Sequence, residues 1–143
     1  MDNTLYIIRG LPGSGKSTEA RRLMSTNPEQ FRWYEADMFF EDKKTRQYQF
    51  DAANLAEAHK WCHQNTEKSL MEGFNVIVSN TFSTLWEFKN YENLTYKLKV
   101  KLDVRQMNNL FPNIHNVPEE VIRKMYNRWE DYPNCIQIPA IAV

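Results

Sequence analysis

Residues 10–18, Gly10-Leu11-Pro12-Gly13-Ser14-Gly15-Lys16-Ser17-Thr18, combine three glycines, one lysine and three hydroxyl side chains in a short stretch. A nucleoside triphosphate needs many fixed hydrogen-bond donors, a cation and a metal ligand close together. Glycines let consecutive backbone N–H groups converge on phosphates, and a following helix points its positive end at them. Lys16 is placed to neutralise β/γ oxygens, and Ser17 to put its hydroxyl on magnesium. Pro12 stiffens the turn. At average residue usage this spacing arises by chance in roughly one chain in 200 of this length. The chain has only four glycines, so the spacing is no by-product of a glycine-rich composition. The expectation is ATP or GTP bound with Mg2+ by Gly10 to Thr18.

Triphosphate binding serves kinases, switches and motors alike, and other residues discriminate. A GTPase should show an Asn-Lys-x-Asp segment, and the sequence has none. A motor ATPase needs a carboxylate at a strand end, where this chain has Ser79-Asn80-Thr81. A kinase needs a carboxylate to accept the proton of an acceptor hydroxyl. Asp37, in Glu35-Ala36-Asp37-Met38-Phe39-Phe40, follows an apolar run, and ligands of α/β sheets bind at the carboxyl ends of strands. It is the candidate base, with a helix N-cap as its plain alternative.

These residues require a scaffold of alternating strands and helices, and the pattern supplies one: an α/β three-layer fold with a central, mainly parallel sheet. Strands are expected at 4–9, 31–35, 74–78 and 98–104, with a last one within 136–143. Helices are expected at 16–24, 51–71, from Thr84-Leu85-Trp86-Glu87 towards Tyr96, and from Pro118. In the second helix Ala52, Leu55, Ala56, His59, Cys62, Thr66 and Leu70 share one face. Ile122, Met125, Tyr126 and Trp129 form the expected buried stripe of the last. Lys97, Lys99 and Lys101 alternate as along a strand. His59 and His63 flank Cys62 at metal-compatible spacing, but Lys60 stands where zinc proteases place a glutamate. His59 is therefore read first as a core histidine.

The whole chain, 1–143, is expected to form one domain, because 143 residues suit a single sizeable core. Eighteen basic and eighteen acidic residues leave no global field to recruit nucleic acid, so a polyanion must use a local patch such as 42–50. Cys62 and Cys135 are far apart in sequence and outside any metal-ligand spacing, as expected of reduced thiols in a cytoplasmic protein. Residues 4–8 are too few for a membrane span, and no membrane association is expected.

The ordered set of segments adds a resemblance. Gly10 to Thr18, Glu35 to Phe40, Phe50-Asp51 with Leu55 to His59, Val76 to Thr81, and Asn113 to Glu120 occur in one sequence. Together they resemble the P-loop kinases related to the 5′-kinase domain of bacteriophage polynucleotide kinases, including zeta-toxin-like and AAA-type ATP-binding forms. The resemblance implies ATP and Mg2+, with Lys16 on the phosphates and Asp37 as base on a hydroxyl; Arg105, the nearest cation to the lid position, is expected to stand in as lid cation. The resemblance also implies contact of His59, Asn80 and Thr81 with the acceptor, a DNA or RNA 5′ end or a small molecule. The chain departs from the pattern at Phe40 and at Asn108-Asn109-Leu110-Phe111-Pro112, where those enzymes carry arginines, and at Asn80, where they carry aspartate; a small-molecule kinase and a nucleotide-binding module with weak or no catalysis are the alternative expectations.

Overall fold

The computed structural model describes residues 2–40, 54–108 and 117–138. Expectations that fall on 41–53, 109–116 and 139–143 lie outside the described residues.

Thr4–Arg9 forms β1, an apolar run expected of a strand covered on both faces. The glycine loop leads into α1, Lys16–Thr26. Phe31–Tyr34 is β2, and a 3-10 turn over Ala36–Phe40 follows it. Then come α2 (Leu55–Met71), β3 (Asn75–Asn80), α3 (Trp86–Leu98), β4 (Lys101–Met107), α4 (Glu119–Asn127) and β5 (Ile136–Ile138). All four strand pairings are parallel, in the order β2-β3-β1-β4-β5.

Parallel strands need crossovers, and these helices cover both faces of the sheet. Leu5, Ile7, Val76, Val78 and Val104 pack with Cys62 and Leu70 of α2 and Phe88, Tyr91 and Leu94 of α3. On the opposite face Ile8, Ile77 and Met107 meet Ala20 and Leu23 of α1. The result is three layers. Among the described residues no helix is long and apolar enough to cross a membrane.

Several expectations change. The buried stripe of α2 runs through Ala58, Cys62, Thr66, Ser69 and Leu70, while Leu55, Ala56 and His59 are exposed. Taking every apolar residue as inward rotated that face by part of a turn. β4 begins at Lys101, because α3 continues to Leu98 and Lys99 caps it at φ 57°. Lys97, Lys99 and Lys101 therefore belong to a helix, a cap and a strand, not to one strand face. α4 has no fully buried residue: Ile122 and Met125 are half-buried and Tyr126 is 69% exposed, while Trp129, half-buried, lies beyond the helix end.

Candidate functional site

The glycine loop takes a shape that glycine alone adopts readily. Gly13 and Gly15 have φ of 82° and 101°, in the left-handed region that costs other residues energy. Gly10 has a different reason: a β-carbon there would stand 2.2 Å from Ser14 Oγ and 3.1 Å from the Met107 carbonyl oxygen. The Gly10 N–H donates to the Thr81 carbonyl at 3.2 Å, tying the loop to the end of β3. No side chain caps α1, so the first turn presents backbone donors and the positive end of the helix. Ser14 Oγ is buried without a partner among the described residues.

Lys16 folds back over this turn. Its Nζ donates to the Gly10 and Leu11 carbonyl oxygens at 2.9 and 3.1 Å. Burial pulls its pKa down to about 8, while the carboxylates of Glu35 and Asp37 oppose the shift. Ser17 and Thr18 follow on the first turn of α1, Ser17 half-buried and Thr18 exposed. Leu11 and Pro12 form the half-buried crest of the loop.

The parallel register brings the next group alongside. β1 runs beside β3 with Ile8 opposite Ser79 and Arg9 opposite Asn80, and β2 pairs with β3 up to Tyr34 and Val78. The ends of all three strands thus meet beside the loop. Asn80 Oδ1 accepts the Ala36 N–H at 2.8 Å and fixes the start of the turn that carries Asp37. Trp33 Nε1 donates to Ser79 Oγ at 2.7 Å, and Ser79 Oγ donates to Glu35 Oε2 at 2.9 Å. Asp37 is half-buried, whereas Phe40 is buried in a cluster with Ala36 and Ala58. His59 lies on the solvent side of α2, yet the protein around its ring lowers its pKa, against the pull of Glu87 and Asp37. Asp37 thus acts on the charges of both Lys16 and His59. Thr81 is half-buried, and its carbonyl is the one that receives Gly10.

Arg105 sits differently. On β4, its guanidinium forms paired bonds to Asp103 at 2.9 and 3.2 Å, with a third bond to Glu19 at 3.1 Å. The Asp103 bonds raise its pKa, and burial opposes this. Glu19 also pairs with Arg22, so Arg105 anchors α1 to the sheet.

A residue that sequence reasoning passed over lies directly before the loop. Arg9 is wholly buried, and its Nη2 donates to the carbonyls of Phe82, Ser83 and Glu130 at 2.7, 3.3 and 2.7 Å. Its Nε shares the Phe82 oxygen at 3.0 Å, and Nη1 has no partner among the described residues. Burial lowers its pKa, with nearby acidic groups opposing. Among the described residues it faces carbonyls and rings, with Phe88 and Trp129 beneath its cation. Phe82 holds a positive φ of 49°, a strained value for a bulky residue. The only sequence cue was a charge at the end of an otherwise apolar strand.

Magnesium chemistry fits these side chains. Among the described residues no group of three or more His, Cys, Asp or Glu side chains could hold a metal by itself. A hydroxyl at a helix start, with carboxylates at the neighbouring strand ends, instead suits an ion held largely by phosphate oxygens and water.

Comparison with known proteins agrees with this architecture. A family model described as "AAA domain" matches residues 5–125. Human NEDD4-binding protein 2 is 36% identical over 148 residues, covering 96% of this chain and 8% of that protein. The chain thus spans a small part of that relative's length. Among solved structures, a chain of the Pnkp1/Rnl/Hen1 RNA repair complex is 20% identical, with a TM-score of 0.60, covering 93% of this chain and 41% of the other. A gluconokinase from Sinorhizobium meliloti 1021 is 11% identical, with a TM-score of 0.64, covering 99% and 83%. Both likenesses are likenesses of fold.

Proposed function

Because the chain belongs to the AAA domain family and has the fold of P-loop kinases, we propose that it binds ATP with magnesium and phosphorylates a nucleic-acid 5′-hydroxyl. The observation that carries this reading is the glycine loop with Lys16 at the end of β1, beside the ends of β2 and β3 that bring up the turn bearing Asp37.

The loop N–H groups and Lys16 would bind the β- and γ-phosphates, Lys16 exchanging two backbone carbonyls for phosphate oxygens. Ser17 would hold magnesium, which supplies neutralisation of charge on the transferring group. The acceptor oxygen attacks the γ-phosphorus as the bond to the β-phosphate oxygen breaks, and Asp37 takes the acceptor proton. ADP leaves. Asn80 would position this base through the Ala36 N–H, the Thr81 carbonyl would hold the glycine loop through Gly10, and His59 would contact the acceptor. In this scheme Arg105 serves by holding Glu19 and thus the orientation of α1.

A second acceptor class, a small hydroxylated metabolite, is favoured by one observation. Phe40 stands where the resembled enzymes carry a phosphate-gripping arginine, and it is buried against Ala36 and Ala58. Incubation with γ-labelled ATP, Mg2+ and 5′-hydroxyl DNA or RNA tests the reading. Label should appear on the oligonucleotide; label only on metabolites would replace the acceptor, and no transfer to either would overturn the kinase assignment.

A further inference from the structure

The ends of β2 and β3 carry a charge arrangement that phosphate binding alone does not explain. Glu35 directly follows β2, whose end pairs with β3 beside the start of the glycine loop, so it joins Asp37 at these strand ends. A second carboxylate there repels a bare triphosphate, so its placement works against binding unless a cation stands between. Its orientation is also built rather than incidental. Ser79 is 1% exposed, receives the Trp33 indole N–H at 2.7 Å, and directs its own proton to Glu35 Oε2 at 2.9 Å. Trp33 and Glu35 belong to the β2 end and Ser79 to the β3 end, so the chain of donors crosses from one strand to the next.

Asn80, at the end of β3, is a neutral amide already occupied with the Ala36 N–H. It has no negative charge to give a metal's water shell. Resting on the magnesium-nucleotide reading above, we propose that Glu35, oriented by Ser79, supplies the carboxylate of the magnesium site. The carboxylate stands at the end of β2 beside the neutral Asn80 of β3, and Ser79 is the positioning residue that aims it. Ser17 remains the direct hydroxyl ligand, and Glu35 acts on the ion's hydration shell. Asp37, two residues on in the 3-10 turn, stays available for the acceptor.

The test is a binding measurement that needs no turnover. Affinity for a fluorescent ATP analogue is measured in EDTA and across a Mg2+ titration, and Mn2+ binding to the protein–nucleotide complex is followed by electron paramagnetic resonance. The wild type should gain affinity on adding Mg2+. Glu35→Gln keeps an acceptor for the Ser79 hydroxyl, so it should fold normally and bind the analogue at least as well in EDTA. Its Mg2+-dependent gain and its Mn2+ affinity should fall about 10- to 100-fold, the range for loss of an outer-shell partner. Ser79→Ala should fall in the same direction by less, and Glu35→Asp should recover part of the loss. The proposal is overturned if Glu35→Gln keeps the full metal-dependent gain, or if Asp37→Asn lowers it equally, since only total charge would then matter. A wild-type chain that binds no nucleotide would sink the underlying magnesium-nucleotide reading as well, which separates the two failures.

Discussion

The guanidinium carbon of Arg9 stands 4.0 Å from the centroid of the Trp129 ring. This contact, with the carbonyl bonds to Phe82, Ser83 and Glu130, stitches the segment after α4 to the end of β1, directly beside the glycine loop. Glu130 returns the contact through its own N–H to the Ser83 carbonyl at 2.7 Å. Arg9→Met fills much of the same volume but leaves buried carbonyls unpaired, at about 1–3 kcal/mol for each such group. We expect a loss of about 3 kcal/mol or more, measured by urea unfolding. Arg9→Lys should not rescue it, because a point ammonium cannot serve several carbonyls in one plane. Wild-type stability in either variant would show the bonds to be dispensable.

Lys16→Met separates folding from binding. In the ligand-free chain the ammonium loses hydration and recovers two carbonyls, and burial outweighs the opposing pull of Glu35 and Asp37, so removing the charge should leave Tm unchanged or raised. Nucleotide affinity should nevertheless fall by about 100-fold or more, as expected for a charge-assisted contact worth roughly 3 kcal/mol. Calorimetry of both transitions checks the pair of outcomes; a large drop in Tm would contradict it.

Asp37→Asn should bind ATP with near wild-type affinity and lose about 100- to 10,000-fold in transfer rate, the usual contribution of a positioned base. Single-turnover transfer from labelled ATP reads the effect directly. Normal transfer in this variant would remove Asp37 from the mechanism.

Asn80→Ala frees the Ala36 N–H and with it the entry to the 3-10 turn bearing Asp37. Transfer should slow about tenfold or more while ATP binding changes little, because small misplacements of a catalytic group are expensive. Asn80→Asp, which keeps an acceptor at this position, should retain more activity. Equal rates for the two variants would argue against a positioning role.

The two thiols should behave differently. Cys62 is fully buried, and burial pushes its thiol up to about 11. It should resist DTNB until the protein unfolds, whereas half-buried Cys135 reacts in the native state. Since the folded pKa exceeds the ordinary 9.0, stability from this group is intact below pH 9 and declines between pH 9 and about 11. Cys62→Ala should flatten that part of the stability profile.

Much of this was legible in the residues. The glycine loop carries its own signature, and β1 announced itself because a strand covered on both faces is apolar throughout. Asp37 could be placed because strand ends face ligands in such sheets. Orientation was harder. His59 was counted with the core of α2 on spacing alone, but α2 packs through Ala58 and Cys62, and small residues such as Ala58 and Ser69 mark a close approach that hydrophobicity does not weigh. The stripe of α4 matched a buried helix in pattern, yet its neighbours leave Tyr126 in solvent. Arg9, Ser79 and Glu35 gave almost no signal, because their meaning lies in partners tens of residues away in sequence. Arg105 was legible as a cation but not as one already held by Glu19 and Asp103.

The strand order has a consequence for how the molecule is made. Leu5 of the central strand is paired with Val76 on one side and Leu102 on the other. Each of these contacts closes a long stretch of chain before it returns any stabilisation, a pattern associated with slow folding. During synthesis β1 emerges first yet stays without neighbours until β3 and then β4 have left the ribosome. Its apolar faces, Leu5 and Ile7 on one side and Ile8 on the other, are exposed in that interval. Nascent chains halted before Lys101 should therefore be sensitive to protease and engaged by chaperones, and chains released past Ile138 should not.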